Sequence, residues 1–471
     1  MPLPTIPSGN VNSGLATGYD VANSVRFNDG SSDSLTRSLT GQSVTRTWSL
    51  SWWFKRSTLG TVQRMWSSDD DSAGNHDDFF QFNTNDKLTF GFYSSGYYAN
   101  FETSRVFRDV SSWYHCLFVW DTTQGTSGNR VKVYINGTQE TSFGTETYPG
   151  ENSNSFIGGW SSNNYPLEFG RRGLNGTQYF DGYLAEAVFI QGVALSPTDV
   201  GEFDSDSPRI WKPIDVSGLT YANNSFYLKF ENSSALGTDS SGNSNTFTVN
   251  SLTSIDQSIS TPTNIFATLN PLIPNSNITY SEGNLRSVQD GAGDNRISLS
   301  TMAVSSGKWY VEHKITQIQD AVHTGIVAAD SAYSTSNSLS QMVNAFSYNN
   351  DGNVKEYNNS NIDTGEATYT AGDIIGIALD MDNNKVYFHK NGTYINSGNP
   401  AGNSNGYSIT SGKEYYFAKA MNYAKYTDWN FGSPAFTISS GNADGNGYGN
   451  FEYAVPSGFY SLCTKNLAEY G

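Results

Sequence analysis

The stretch Gly372–Gly392 constrains the fold more tightly than any other part of this chain. Ile374, Ile375, Ile377 and Leu379 form one apolar run, and Val386, Tyr387 and Phe388 form a second, with the polar triplet Asp382, Asn383 and Asn384 between them. Short β-branched and aromatic runs on either side of turn residues predict a β-hairpin. The pattern has an echo earlier in the chain. The apolar run Trp113–Trp120 is followed by a polar loop and then by Arg130–Thr138, and both copies close on Asn-Gly-Thr, at 136–138 and at 391–393. The copies lie too far apart for a short solenoid repeat, so the echo predicts two separate β-domains built on the same logic.

A length of 471 residues exceeds what one hydrophobic core organises and accommodates two such domains. Aromatic residues make up 14% and charged residues only 15%, with 46 glycines spaced between short apolar runs, which is the composition of an all-β chain with many turns. The 27 basic against 44 acidic residues give a net charge of -17 without a basic patch, which argues against nucleic acid or an anionic membrane as a partner. Cys116 lies in an apolar run and Cys463 near the other end of the chain, so both read as small buried residues and not as a disulfide. The first residues have no basic segment leading into an apolar one, and no run approaches membrane-spanning length. The expectation is a soluble chain without secretion signal or membrane insertion.

Residues 1–18 carry Pro2, Pro4 and Pro7 and little to bury, and read as an extended arm suited to attachment. In the strand predicted at 47–56, Trp48, Leu50, Trp52 and Phe54 share one face and Trp53 takes the other. Further strands are predicted at 79–82, 88–93, 113–120 and 131–135. The stretch 180–200 places Asp181, Gly182, Leu184 and Glu186 ahead of a Leu195-Ser196 turn. With the opening strand at Ser24–Phe27 and the Asn136-Gly137-Thr138 ending, this stretch resembles the laminin G-like, or concanavalin A-like, lectin fold over residues 19–203. Residues 204–263 read as a linker with one or two docked strands, one of them near Phe226–Phe230. In the remainder, 264–471, five segments occur in a fixed order: 306–315, 323–329, 372–392, 415–421 and 456–463. In that order they resemble a SPRY domain. The expected fold class is therefore all-β: two antiparallel β-sandwiches of jelly-roll type, one concanavalin A-like and one SPRY-like, joined by a partly structured linker. The second resemblance implies a binding module for protein or peptide partners, with a site on end loops. Loops 330–363 and 396–412, rich in Ser, Asn, Gly and Tyr, are the candidates.

A lectin-type fold raises the question of glycosidase chemistry, which needs two facing carboxylates. The strand-borne Glu-x-Asp-x-x-Glu pattern is absent, and the spacing of Asp181 and Glu186 sends them to opposite faces of a strand. Gly402–Gly406 fits Gly-x-Ser-x-Gly but lacks the strand before it and the helix after it that a nucleophile elbow requires. The five histidines, at 76, 115, 313, 323 and 389, show no metal-ligand spacing. No catalytic residue is expected. No cofactor is expected either, with calcium as the one ion that two acidic clusters would suit: Asp69, Asp70, Asp71 with Asp77 and Asp78, and Asp380 with Asp382. Both clusters also read as solvated loop and turn chemistry. Exposed aromatic planes beside Asn suit carbohydrate, and this selects Trp160, Asn163, Asn164 and Tyr165 in one loop and Tyr97 and Tyr98 in another as ligand-binding candidates.

Tandem lectin-like modules of acidic, Asn- and Ser-rich composition resemble virion proteins of tailed phages, particularly those of marine bacteria, and residues 261–271 resemble a connector found in such proteins. The resemblance implies a tail fibre or tail appendage that binds host surface glycans or proteins, with a capsid decoration protein as the alternative. Its partners would be other virion proteins and the host ligand, its location the tail or capsid surface of the virion, and its assembly a homo-oligomer such as a trimer. A polysaccharide-degrading enzyme or a cellular adhesin on the same folds are the rivals from other classes.

Overall fold

The computed structural model describes residues 18–471 except 40–44, 70–75, 158–164, 174–175, 223, 274–277, 290–295, 333–337 and 423–424. The chain divides into two compact units, the first Ala16–Thr263 and the second containing Asn264–Gly471. Strands dominate both, and among the described residues the one α-helix is the seven-residue Thr464–Tyr470.

The first unit is a sandwich of two eight-stranded sheets. One has the strand Thr47–Arg56 at its centre, paired with Tyr114–Asp121 on one side and Gly182–Gln191 on the other. The alternation read from sequence places Trp48, Leu50, Trp52 and Phe54 in the interior with no exposed surface. There they meet Phe80, Phe90 and Phe92 of the facing sheet. Trp52 stacks on Phe80 at 5.6 Å, and Trp48 on Trp120 at 6.0 Å. Offset and edge-on aromatic pairs of this kind add to the area they bury.

Trp53 points to the opposite face and is covered as well, its ring 5.0 Å from that of His115. Elsewhere on this sheet, residues beyond 191 supply a second layer: Leu195, Val200, Val216 and Tyr227 pack on Leu117, Val119, Val188 and Ile190. Trp211 Nε1 donates to His115 Nδ1 at 3.1 Å, and His115 Nε2 lies 2.8 Å from Ser51 Oγ. Because an indole only donates, Nδ1 must accept and Nε2–H must donate to the serine. This buried Ser-His pair therefore has its base nitrogen already occupied. Within 204–263, Phe226–Leu228, Thr248–Asn250 and Gln257–Ser258 pair with strands of the two sheets.

The second unit packs a nine-stranded sheet on a six-stranded one. The hairpin expected at 372–392 is present as Ile374–Asp380 and Lys385–Lys390. Its strands join Lys308–Lys314, and the facing sheet contains Val322–Ala328 and Tyr415–Met421. The interior holds Trp309, Val311, Ile326, Ile375, Ile377, Leu379, Phe388, Phe417 and Trp429. Near the end of the chain, the strand expected over 456–463 shortens to the parallel pair Tyr460–Ser461, and the helix follows.

The sequence echo holds at the level of single atoms. Asn136 and Asn391 both sit at φ +49°, each followed by a glycine at positive φ. Asn136 Oδ1 accepts from His115 N at 2.8 Å, and Asn391 Oδ1 accepts from Ile374 N at 2.8 Å. Each asparagine thus closes a tight turn and caps the neighbouring strand. The glycines also seat aromatic rings: a Cβ on Gly137 would stand 2.3 Å from Trp211, and one on Gly392 2.8 Å from Tyr453.

Candidate functional site

The outer face of the second sheet in the first unit carries a dense polar and aromatic arrangement. It is built on the strands Gln63–Asp69, His76–Phe82, Lys87–Ser94, Tyr97–Val106 and Pro166–Phe169. Alternation sends Phe80, Phe82, Phe90 and Phe92 into the core and leaves Asp77, Phe79, Gly91 and Tyr93 for the other face. Phe79 lies flat on Gly91, where a Cβ would come within 2.2 Å of its ring. The Arg64 guanidinium stacks over Phe79 at 4.5 Å and forks the Asp77 carboxylate at 2.6 and 2.8 Å. Its Nε donates to Gln178 Oε1 at 2.9 Å and to Gln81 Oε1 at 3.2 Å. Arg172 stands 3.7 Å from both Asp69 and Asp77, and Arg171 pairs with Glu168. Every guanidinium of this group thus meets a carboxylate; Arg64, Asp69 and Asp77 are buried beneath the face, and Arg171 and Arg172 reach its partly exposed surface.

Beside this network Tyr97 stands 54% exposed, its ring edge-on to Tyr93 at 5.3 Å. The register sets Tyr97 beside Tyr93 and Tyr93 beside Asp77, which brings Tyr97 to the network, and burial with the Asp77 charge raises its hydroxyl pKa against the pull of Arg64 and Arg172. An exposed aromatic plane bordered by fixed donors and acceptors suits a sugar ring, whose C–H face covers the aromatic while its hydroxyls exchange hydrogen bonds at the rim.

Tyr98 faces the other way. Its ring packs edge-on against Phe92 and Trp120, and its hydroxyl donates to Asp78 Oδ1 at 2.9 Å. A β-bulge, where Phe92 pairs with Ala99 but Tyr93 with Tyr97, turns Tyr98 inward beside Ala99 and leaves Tyr97 outside, so Tyr97 and Tyr98 do not line one site together. Asp78 Oδ2 accepts from the backbone N–H of Phe156 at 2.6 Å and of Ile157 at 3.1 Å. Burial raises the Asp78 carboxyl to about 8 against the pull of these three donors. This buried carboxyl ties Phe156 and Ile157 down onto the sheet. Tyr165 is half-buried, with Phe156 at 5.7 Å and His76 at 5.9 Å, and His76 pairs with Ser94 one residue beyond Tyr93. The structure therefore brings Tyr97 and Tyr165 to the same end of one sheet. Trp160, Asn163 and Asn164 lie outside the described residues. Arg64 and Arg172 were not selected from sequence, and Asp77 only as part of an acidic cluster suited to calcium, because a guanidinium network assembled from three separate segments has no local signature. The one available signal was the alternation in His76–Phe82, which turns Asp77 and Phe79 outward.

The acidic clusters have other partners. Asp69 and Asp77 meet arginines, and Asp78 is held by Tyr98 and backbone, while Asp70 and Asp71 lie outside the described residues. Asp380 pairs with Lys308 at 3.0 Å and accepts from Asn383, and Asp382 accepts from Gly307 N at 2.8 Å, so both shape the hairpin. Among the described residues no group of three or more His, Cys, Asp or Glu is placed to hold a metal ion. Glu186 sits at φ +48° in a bulge, where it accepts from Tyr227 and from Tyr19, and burial raises it to about 7. Asp181 is buried beside Thr58. Each carboxylate is thus committed to an internal partner. Gly402–Gly406 lies in a turn closed by an Asn399–Ser404 bridge and leads to the short strand Tyr407–Ser408. His115, His313, His323 and His389 are buried, which depresses their basicity, for His115 and His389 to about 3. In the second unit the stretch 330–363, expected as a loop, instead supplies the strands Ala345–Asn349, Val354–Glu356 and Ser360–Asp363 at one edge of the six-stranded sheet and exposes Tyr357 and Ile362, while loop 396–412 is pinned by Lys385 Nζ on Asn403 O at 2.9 Å.

Comparison with known proteins agrees with this division. Residues 28–201 match the Concanavalin A-like lectin/glucanases superfamily, and residues 308–398 match the SPRY domain. The chain thus carries a concanavalin A-like domain and a SPRY domain. No curated protein matches the sequence. Among solved structures, the SPRY domain of human HERC1 is 17% identical, with 32% of this chain and 91% of that one covered and a TM-score of 0.24. The heptameric SAP-like pentraxin from Limulus polyphemus is 16% identical, with 38% and 81% covered and a TM-score of 0.28.

Proposed function

We propose that this protein is a non-enzymatic recognition protein whose first unit binds glycan on the face around the exposed Tyr97, bordered by Arg172 and supported from below by the buried Arg64–Asp77 fork. The lectin-like and SPRY folds fit a binding role, and the observation that carries the reading is the exposed Tyr97 ring beside the Arg64–Asp77 fork. The finer proposal is a tail fibre or tail appendage of a phage virion that engages host surface glycans or proteins, with other virion proteins as its attachment. It draws support from the acidic, Asn- and Ser-rich composition and the pairing of two binding folds in one chain.

The test is binding of the full chain to a glycan array, native against Tyr97→Ala. Tyr97 is exposed, so its truncation changes stability by less than about 0.5 kcal/mol. Loss of an aromatic platform weakens binding about tenfold, equivalent to ~1.4 kcal/mol. Undiminished binding by the variant would reject this face as the site. Electron microscopy of particles from the source tests the location separately: copies at the tail support the appendage, copies across the capsid replace it with a decoration protein, and absence from particles rejects the virion reading.

A further inference from the structure

The interior of the second unit is not uniformly apolar. Alternation along Tyr415–Met421 turns Phe417 and Met421 into the core, and Lys419, between them, points the same way with no exposed surface. Across the sandwich, Phe417 meets Phe431 at 6.5 Å, and Phe431 stacks on Trp429 at 5.3 Å; Lys419 itself pairs with Thr324, whose hydroxyl lies 2.8 Å from His313 Nδ1. Trp429 in turn stacks on His313 at 4.5 Å. Thr427 lies two residues from Trp429 on the same face, and Ser287 pairs with Thr427 in the adjacent strand. Five side chains from both sheets therefore converge on one region of the core, all of them fully buried.

Their hydrogen-bonding groups are unused. Among the described residues, Lys419 Nζ, Trp429 Nε1, His313 Nε2, Thr427 Oγ1 and Ser287 Oγ have no partner. An interior lysine without a counter-charge is costly, as is each unpaired buried polar group. The neighbouring network sets the character of the site. The Tyr369 hydroxyl lies 2.9 Å from the carbonyls of Val322 and Tyr348, to which it donates, and Thr324 Oγ1 lies 3.2 Å from Tyr369 and 2.8 Å from His313 Nδ1. With the tyrosine proton given to a carbonyl, Thr324 donates to Tyr369 and accepts from His313 Nδ1–H. His313 Nε2 is thereby left as the one acceptor of the group, within the field of Lys419, while Lys419 and Trp429 offer donors only and the two hydroxyls are free to turn theirs inward.

We propose that Lys419, Trp429, Thr427 and Ser287 form a buried site for a small monovalent anion of halide type, held inside the sandwich of the second unit. An ammonium, an indole N–H and two hydroxyls match an acceptor-only ion, and the ion supplies the charge partner that Lys419 lacks. Burial lowers the Lys419 ammonium to about 7, and an anion bound beside it would favour the charged form again.

The experiment is a bromide soak of full-chain crystals, with anomalous data at the bromine edge, alongside thermal unfolding with chloride exchanged for gluconate at fixed ionic strength. A bromide peak beside Lys419 is expected, with a midpoint that rises about 3–5 °C per tenfold increase in chloride at saturation. In Lys419→Met, of similar volume and apolar, both effects disappear. Trp429→Phe keeps the ring and removes one donor, so it weakens the chloride response even if the lysine variant fails to fold. Water at this position without anomalous signal overturns the proposal. So does a peak with no chloride effect on the midpoint, which would mean binding at crystal concentration only.

Discussion

The site on the first unit depends on a glycine. Gly91 forms the floor on which Phe79 lies, Phe79 carries the Arg64 guanidinium, and Arg64 holds Asp77 in its fork. In Gly91→Ala the new Cβ would stand 2.2, 2.4 and 2.9 Å from three carbons of the Phe79 ring. Ordinary contact needs 3.4 Å or more, so the ring must lift by about 1 Å or rotate away, and the guanidinium above it cannot keep its place. Forced overpacking of this kind costs about 1–3 kcal/mol. Phe79→Ala alone removes a buried ring, at roughly 3–5 kcal/mol. If the two effects share this contact, the double variant is less destabilised than the sum, by at least about 1 kcal/mol. The assay is urea unfolding of the four proteins followed by tryptophan fluorescence, with glycan binding measured on the same samples. Additivity within about 0.5 kcal/mol, or Gly91→Ala binding glycan like the native chain, would refute the platform.

The paired turns give a second test. Asn136→Ala and Asn391→Ala each lose a side-chain acceptor for a strand N–H and replace a residue that tolerates left-handed backbone by one that does not, so each unit should lose about 1–3 kcal/mol, measured by urea unfolding. Equal stability in either variant would detach the sequence echo from its structural role. Lys55 supplies a pH test. It is buried under Tyr183, its ammonium 4.4 Å from the ring, and burial lowers it to about 7. Its value in the unfolded chain is about 10.4, so the unfolded chain holds more protons between these values. Stability from this group therefore climbs by about 1.4 kcal/mol per pH unit from pH ~7 to ~10, and is lost as pH falls back through that window. Asp78 and Glu186, raised in the folded state, oppose it at lower pH, so the measurement is the slope difference between native and Lys55→Met across pH 8 to 10. Parallel slopes would show that Lys55 stays charged in the fold.

What the sequence discloses here follows from how local each feature is. The hairpin of Ile374–Asp380 and Lys385–Lys390 was legible because period-two burial and turn chemistry sit within one short stretch. The Asn136 and Asn391 turns were legible twice over, as local motif and as echo. Trp53 was only half legible: the alternation of Thr47–Arg56 shows that it leaves the core, but its ring is buried beside His115, to which Trp211 donates, and no local pattern announces that a second layer will fold back onto a sheet. The same limit explains the site. Tyr97 could be selected as an aromatic in a Ser/Gly/Asn setting, yet its neighbour Tyr98 looked equivalent until the β-bulge separated them, one to Asp78 and the core, the other to solvent. Arg64 and Asp77 come together only because consecutive strands pair, and Arg172 reaches them from a segment far along the chain. Lys419 is the extreme case, since a lysine in the run Tyr415–Met421 reads as an outward residue until the register shows Phe417, Lys419 and Met421 sharing the inner face. A sheet's periodicity thus tells which side chains share a face, while charge placed against that periodicity marks where the interior has been made polar on purpose or at a cost.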